Sequence, residues 1–237
     1  MERGRSRKAR SGCLGRIFGF VLFLIVAAVG VIAAVKYMPS RERADLDALY
    51  AAGGSDRVAL YLNYERQEES GVYVDGQTYL PAAWVDANLN ERFYWDANEE
   101  ILVYALPEEI VKSDETTVDE DGKKILYRDG DAVYLSLALI QKYTDVRLQA
   151  YDGEAQKRVF VENNWDPVTV ADAAWSAKIR LRGGLKSPIV TEIKRGGTVT
   201  VLEQYDNWAR VMTPDGHIGY MHKWKMKNLH EETLKSD

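Results

Sequence analysis

AKIRLRGGLKSPIVTEIKRGGTVTVLEQYDNWARVMTPDGHIGYMHKWKM, residues 177–226, alternates short apolar runs with glycine, asparagine and aspartate turns. Five runs can be read, at 179–181, 189–193, 198–202, 208–212 and 218–221. Gly183-Gly184, Gly196-Gly197, Asp206-Asn207 and Asp215-Gly216 separate them. Runs this short and evenly spaced predict strands, and short strands remove their exposed edges by closing into a small all-β barrel. The barrel is expected over residues 176–230, with 231–237 as a tail.

On its N-terminal side, Asp166-Pro167 marks residues 164–175 as a linker. Before that lies an internal duplication over residues 58–163. Asp75-Gly76 aligns with Asp129-Gly130, Tyr79-Leu80 with Tyr134-Leu135, and Trp95-Asp96 with Tyr151-Asp152. In each copy a strand turns at Asp-Gly and a second strand returns. A short helix follows (Trp84, Val85 and Leu89, or Leu139, Ile140 and Tyr143), then two more strands around a turn at Ala97-Asn98 or Gly153-Glu154. The hydrophobic period changes from two to about 3.6 and back, so each copy reads β-β-α-β-β. Neither copy is long enough to bury much core alone, so the two are expected to pack together. Residues 112–124 (KSDETTVDEDGKK) read as a solvated loop between them. An EF-hand there fails, because position one would be Thr117 and the closing glutamate would be Arg128.

Toward the N-terminus, residues 17–35 (IFGFVLFLIVAAVGVIAAV) pass without a charge. As a helix they span about 28 Å, close to the ~30 Å of a bilayer core. Residues 1–16 carry six Lys/Arg against Glu2, a net of +5, and the whole chain is −5, which leaves −10 for residues 17–237. The basic flank keeps the N-terminus in the cytoplasm and directs residues 36–237 outside. The run exceeds the apolar core of a cleaved signal peptide, so an uncleaved single-pass anchor in the cytoplasmic membrane is expected. Residues 36–57 read as a stalk ending at Gly53-Gly54. The lone cysteine, Cys13, lies before the apolar run and excludes an intrachain disulfide. An acidic body lacks the counterion-release drive toward nucleic acid, and that partner class is discarded.

The barrel segment resembles a bacterial SH3 domain. Ile179-Arg180-Leu181-Arg182 matches the opening basic strand, and residues 194–201 approximate the Lys-x-Gly-x-x-Val-x-Val element. Residues 206–211 stand for Asn-Gly-Trp-x-x-Val, and 215–221 for the final Asp-Gly-x-x-Gly-Trp-Val hairpin, with Tyr220 and Met221 as departures. The duplicated module resembles the copper amine oxidase N-terminal-like domain, through residues 74–89 and the Trp95-Asp96 pair. That name implies no copper here, since residues 58–163 hold neither His nor Cys. The order of anchor, repeat and SH3 segment is similar to the N-terminal half of membrane-anchored family 18 glycoside hydrolases. Those enzymes carry their acid on an Asp-Gly-x-Asp-x-Asp-x-Glu strand, which this chain lacks, so the chain is expected to be a fragment or truncated reading frame of such a protein, or a free-standing accessory protein.

Catalytic constellations are scarce. No serine elbow, phosphate loop or Rossmann glycine pattern occurs. His217, His222 and His230 are the only imidazoles and are expected at the surface without metal-like spacing. Glu99-Glu100 and Glu108-Glu109 read as solvated charges at strand ends. No catalytic residue, metal or cofactor is assigned. Recognition remains. Tyr205, Trp208, Tyr220 and Trp224 gather around the last hairpins, and aromatic side chains with a wet edge suit sugar faces or peptides. The SH3 resemblance implies core positions for Trp208 and Tyr220, with Tyr205 and Trp224 exposed. The expectation is therefore an α+β chain: one transmembrane helix, a duplicated β-β-α-β-β module and an SH3-like barrel that meets peptidoglycan or another wall polymer outside the membrane.

Overall fold

The computed structural model describes residues 11–153 and 155–233. The basic tail, the Cys13 side chain, Glu154 of the second turn and residues 234–237 lie outside the described residues. The chain is mixed α and β with strands predominating. Helix α1 (Ser11–Tyr37) contains Phe18–Tyr37, twenty residues long and apolar enough to cross a membrane, with none of it buried against the rest of the chain. A one-turn helix α2 (Leu46–Tyr50) starts at Asp45, whose carboxylate accepts the Ala48 amide at 3.0 Å.

The first lobe follows in chain order as β1 (Arg57–Leu62), β2 (Glu65–Val74), β3 (Gln77–Pro81), α3 (Ala82–Asn88), β4 (Phe93–Asp96), β5 (Ile101–Ala105) and β6 (Ile110–Ser113). It continues as β7 (Leu126–Asp129), β8 (Ala132–Ser136), α4 (Leu137–Tyr143), β9 (Arg147–Tyr151) and β10 (Arg158–Glu162). Seven of these strands form one sheet in the order β7-β8-β3-β2-β1-β10-β9, and β4-β5-β6 form a separate sheet. The two hairpins meet back to back through antiparallel β3 and β8, with Leu80 opposite Leu135. Both leucines are wholly buried. The Asp75-Gly76 turn has both residues at positive φ, as a tight two-residue loop requires. In the other hairpin Asp129 already pairs with Ala132, so Gly130 takes the first central position instead of the second. The closing hairpins also differ: β9-β10 joins the large sheet beside β1, whereas β4-β5 pairs with β6.

The second lobe is an all-antiparallel sheet in the order β13-β12-β16-β15-β14-β11-β17. Its strands are β11 (Val168–Ala173), β12 (Ala177–Arg180), β13 (Ile189–Ile193), β14 (Thr198–Gln204), β15 (Trp208–Met212), β16 (Ile218–His222) and β17 (Met226–Glu232), with a 3-10 turn at Lys223–Lys225 before β17. The stretch 164–175, expected as a linker, carries β11, because Ala171 and Ala173 alternate into the core of this sheet. The loop over 112–124 also contributes structure: β6 runs to Ser113, and Val118 bridges to Lys124. The core of the lobe is built from small and branched side chains, among them Ala177, Ile179, Val199, Val211 and Met221, all buried. Gly219 is required where it stands. A Cβ there would lie 2.7 Å from the Arg180 carbonyl oxygen.

The lobes share a third cluster formed by Tyr50, Ala59, Tyr61, Phe160 and Met212. The residues expected as a stalk do not hang free. The Ala44 amide donates to the Ile189 carbonyl at 2.7 Å and the Ile189 amide to the Glu42 carbonyl at 2.8 Å, which covers the open edge of β13.

Candidate functional site

Strands β15 and β16 pair in the register Trp208 with His222, Arg210 with Tyr220, and Met212 with Ile218. Strand alternation sends Ala209, Val211, Gly219 and Met221 into the core and their neighbours to the other face. Trp208 and Tyr220 are therefore half-buried on the outer face. This corrects the core positions implied by the SH3 resemblance. Tyr205 and Trp224, in the turns that flank the hairpin, are 46% and 61% exposed.

The four aromatic residues divide into two groups. Tyr205 and Tyr220 lie 5.8 Å apart between ring centres. The Tyr205 hydroxyl donates to Glu203, which pushes the phenol pKa up and helps hold the Glu203 carboxyl below its usual range. Arg210 Nη1 donates to Glu203 at 2.8 Å and to Glu65 of the first lobe at 2.5 Å. This pair thus belongs to a polar network that joins the lobes.

The other group forms a wall. Trp208 stacks obliquely 4.9 Å from His222, and His222 stands 6.1 Å from Trp224. Gly183 lets the 183–184 loop approach the indole, since a Cβ there would sit 3.2 Å from Trp208 Cγ. These side chains line a groove of about 430 Å³, completed by Leu185, Pro39 and Arg180. Arg180 is almost wholly buried, and its guanidinium donates to the Ser187 carbonyl at 2.5 Å and the Ser40 carbonyl at 3.2 Å. Desolvation lowers its pKa, and among the described residues no carboxylate pairs with it. Lys178 and Lys225 lie at the same groove, with Glu192 as its one acid. An aromatic wall beside a buried, fixed guanidinium can stack on a sugar or apolar face and accept a carboxylate.

Pro39, Arg180, Leu185 and His222 were not among the sequence candidates. Gly183-Gly184 beside a tryptophan hints at close approach, but nothing local shows that Pro39 returns to this face. His217, expected at the surface, is buried beneath Tyr50, with 5.6 Å between ring centres, and its Nδ1 lies 3.0 Å from Asp215 Oδ2. Among the described residues no group of three His, Cys, Asp or Glu is placed to hold a metal ion. A separate cavity of about 510 Å³ in the first lobe has an apolar floor at Leu102, Tyr104 and Leu139 and contains none of the candidate residues.

A seven-stranded antiparallel sheet with short strands, glycine turns and an aromatic groove on its last hairpins defines a small all-β module of the SH3 type. Residues 175–227 match the bacterial SH3 domain family. The match begins at Trp175 and spans β12 to β16 with every groove-lining residue except Pro39. No curated protein matches the chain.

Proposed function

We propose that this chain is a membrane-anchored accessory protein that presents its bacterial SH3 module to a cell-wall polymer outside the cytoplasmic membrane. The observation that carries the reading is the Trp208–His222–Trp224 wall beside Arg180, inside the segment matching a family commonly involved in cell-wall binding. Peptidoglycan suits the groove chemically, because its sugars offer apolar faces and its peptides offer carboxylates. Helix α1 serves as the anchor, supported by its length and by the basic residues that precede it. The first lobe acts as a stiff, metal-free support, a duplicated module of the copper amine oxidase N-terminal-like kind. The equal lengths of β3-α3 and β8-α4 and the facing Leu80 and Leu135 support the duplication. The residues present bind and do not catalyse. The order of anchor, module and SH3 domain supports a second reading, the targeting half of a longer family 18 glycoside hydrolase, which the downstream reading frame tests.

The wall-binding reading is tested by co-sedimentation of detergent-solubilised full-length protein with purified sacculi. Retention of the wild type, reduced about tenfold in Trp224→Ala, supports it. Equal recovery of both in the supernatant overturns it.

A further inference from the structure

We infer that the SH3 lobe rests on the outer surface of the same bilayer that holds α1, with the 183–187 loop and the first residues after the helix against anionic lipid headgroups. The inference rests on the anchor reading above. The order of the chain places the first lobe between anchor and SH3 module, as if to hold the module away from the membrane. The contacts say otherwise. Lys186 Nζ donates to the Val35 carbonyl, in the last turn of α1, at 2.7 Å. The Ser40 amide donates to the Leu185 carbonyl at 2.8 Å, and Arg180 reaches the Ser40 carbonyl. With the Glu42–Ile189–Ala44 bonds, these interactions tie the module to the first ten residues beyond the helix and leave no free spacer.

The side chains at this junction have the composition of a membrane–water boundary. Tyr37, Met38 and Leu185 are exposed, although each is large and apolar. Tyrosine with flanking lysine is the usual furnishing of that boundary, where a long aliphatic stem lies in the apolar edge and the ammonium reaches the headgroups. Lys36, Arg41, Arg182 and Lys186 outnumber Glu42, Asp45 and Asp47 here, in a body that otherwise sums to negative charge. Arg43 is neutralised by Glu192 at 3.5 Å. A local cationic face on an acidic body turns that face toward an anionic surface.

The position limits the ligand. Pro39, which lines the groove, is two residues beyond Tyr37, the last residue of α1, so the groove opens within about 7 Å of the helix end. The wall material it meets is therefore the membrane-proximal layer.

The test uses the full-length chain with Cys13→Ser, in nanodiscs of phosphatidylcholine with or without phosphatidylglycerol. Single bimane labels are placed through Ile25→Cys, Leu185→Cys or Tyr94→Cys, and quenched by lipids carrying nitroxide at mid-chain or at the headgroup. The expected result is mid-chain quenching at position 25 and headgroup quenching at position 185. The latter should be about twofold stronger with phosphatidylglycerol and weakened by 0.5 M salt as charges are screened. Position 94, exposed on the first lobe, should be unquenched. Quenching at 25 without quenching at 185 overturns the inference and spares the anchor. No quenching at 25 overturns the anchor itself.

Discussion

The Arg158 guanidinium lies 4.6 Å from the centre of the Tyr50 ring and donates to the Asp215 carbonyl at 2.7 Å, so one side chain of the first lobe is clasped by the segment before β1 and by a turn of the second lobe. Arg158 is completely buried, and among the described residues no carboxylate balances it. Its charge is held instead by carbonyl oxygens at Gln156 and Asp215 and by the faces of Tyr50 and Tyr151. Such an arrangement couples the lobes, since separating them breaks the bond from Arg158 to the Asp215 carbonyl.

Arg158→Ala therefore lowers stability by about 2–4 kcal/mol, the scale of losing two charge-assisted hydrogen bonds and the packing around them. Arg158→Met, which keeps the volume and removes the charge, costs less. Thermal melts followed by near-UV circular dichroism check both. In the wild type the lobes melt as one transition, and in Arg158→Ala the transition broadens or divides.

Acid acts on the same junction through Asp215. Contact with the His217 ring and the Thr213 hydroxyl holds its carboxyl at about 2, below the ordinary value near 4. A depressed carboxylate contributes stability that is complete above its unfolded pKa and lost as pH falls through the folded one. The melting temperature should thus decline between pH 4 and 2, and Asp215→Asn should start lower and decline less over that window.

Gly219→Ala forces a Cβ to within 2.7 Å of both the Arg180 carbonyl oxygen and Ile179 Cγ2. Backbone cannot give way as a flexible side chain can, so a loss of about 1–3 kcal/mol is expected in chemical denaturation. Gly184→Ala, with open space around it, is expected to remain within about 0.5 kcal/mol of wild type.

Trp208 and Trp224 separate structure from recognition. Trp208→Ala removes a half-buried indole packed on Gly183 and lowers both stability and retention on sacculi. Trp224 is largely exposed, so Trp224→Ala leaves the melting temperature nearly unchanged while weakening retention about tenfold, or about 1.4 kcal/mol.

Strands β12 to β16 are legible in the sequence because their apolar runs are short and β12 to β15 are each followed by a glycine or Asp-Asn turn. Strand β17 is not: MKNLHEE is polar on both faces, as suits an exposed edge strand, and carries no period-two signal. Strand β11 hides behind Pro167, which reads as a break. The paired helices are legible from their apolar spacing, and Ser136 even supplies the cap of α4, accepting the Leu139 amide at 3.2 Å. Half of the groove is legible through its two tryptophans. Its far wall is not, since Pro39 and Leu185 meet only because the segment after α1 adds to the edge of β13. His217 looks like a surface residue for the same reason: Tyr50, which covers it, lies far earlier in the chain.

Everything proposed for the groove requires that both lobes emerge on the outer side of the membrane. Protease added to intact protoplasts measures this directly, with the full-length chain detected at each end. The expected result is digestion of the chain beyond Tyr37 while the N-terminal fragment with α1 survives. Full-length chain that is cleaved only after the protoplasts are lysed would place the SH3 module in the cytoplasm and contradict wall binding.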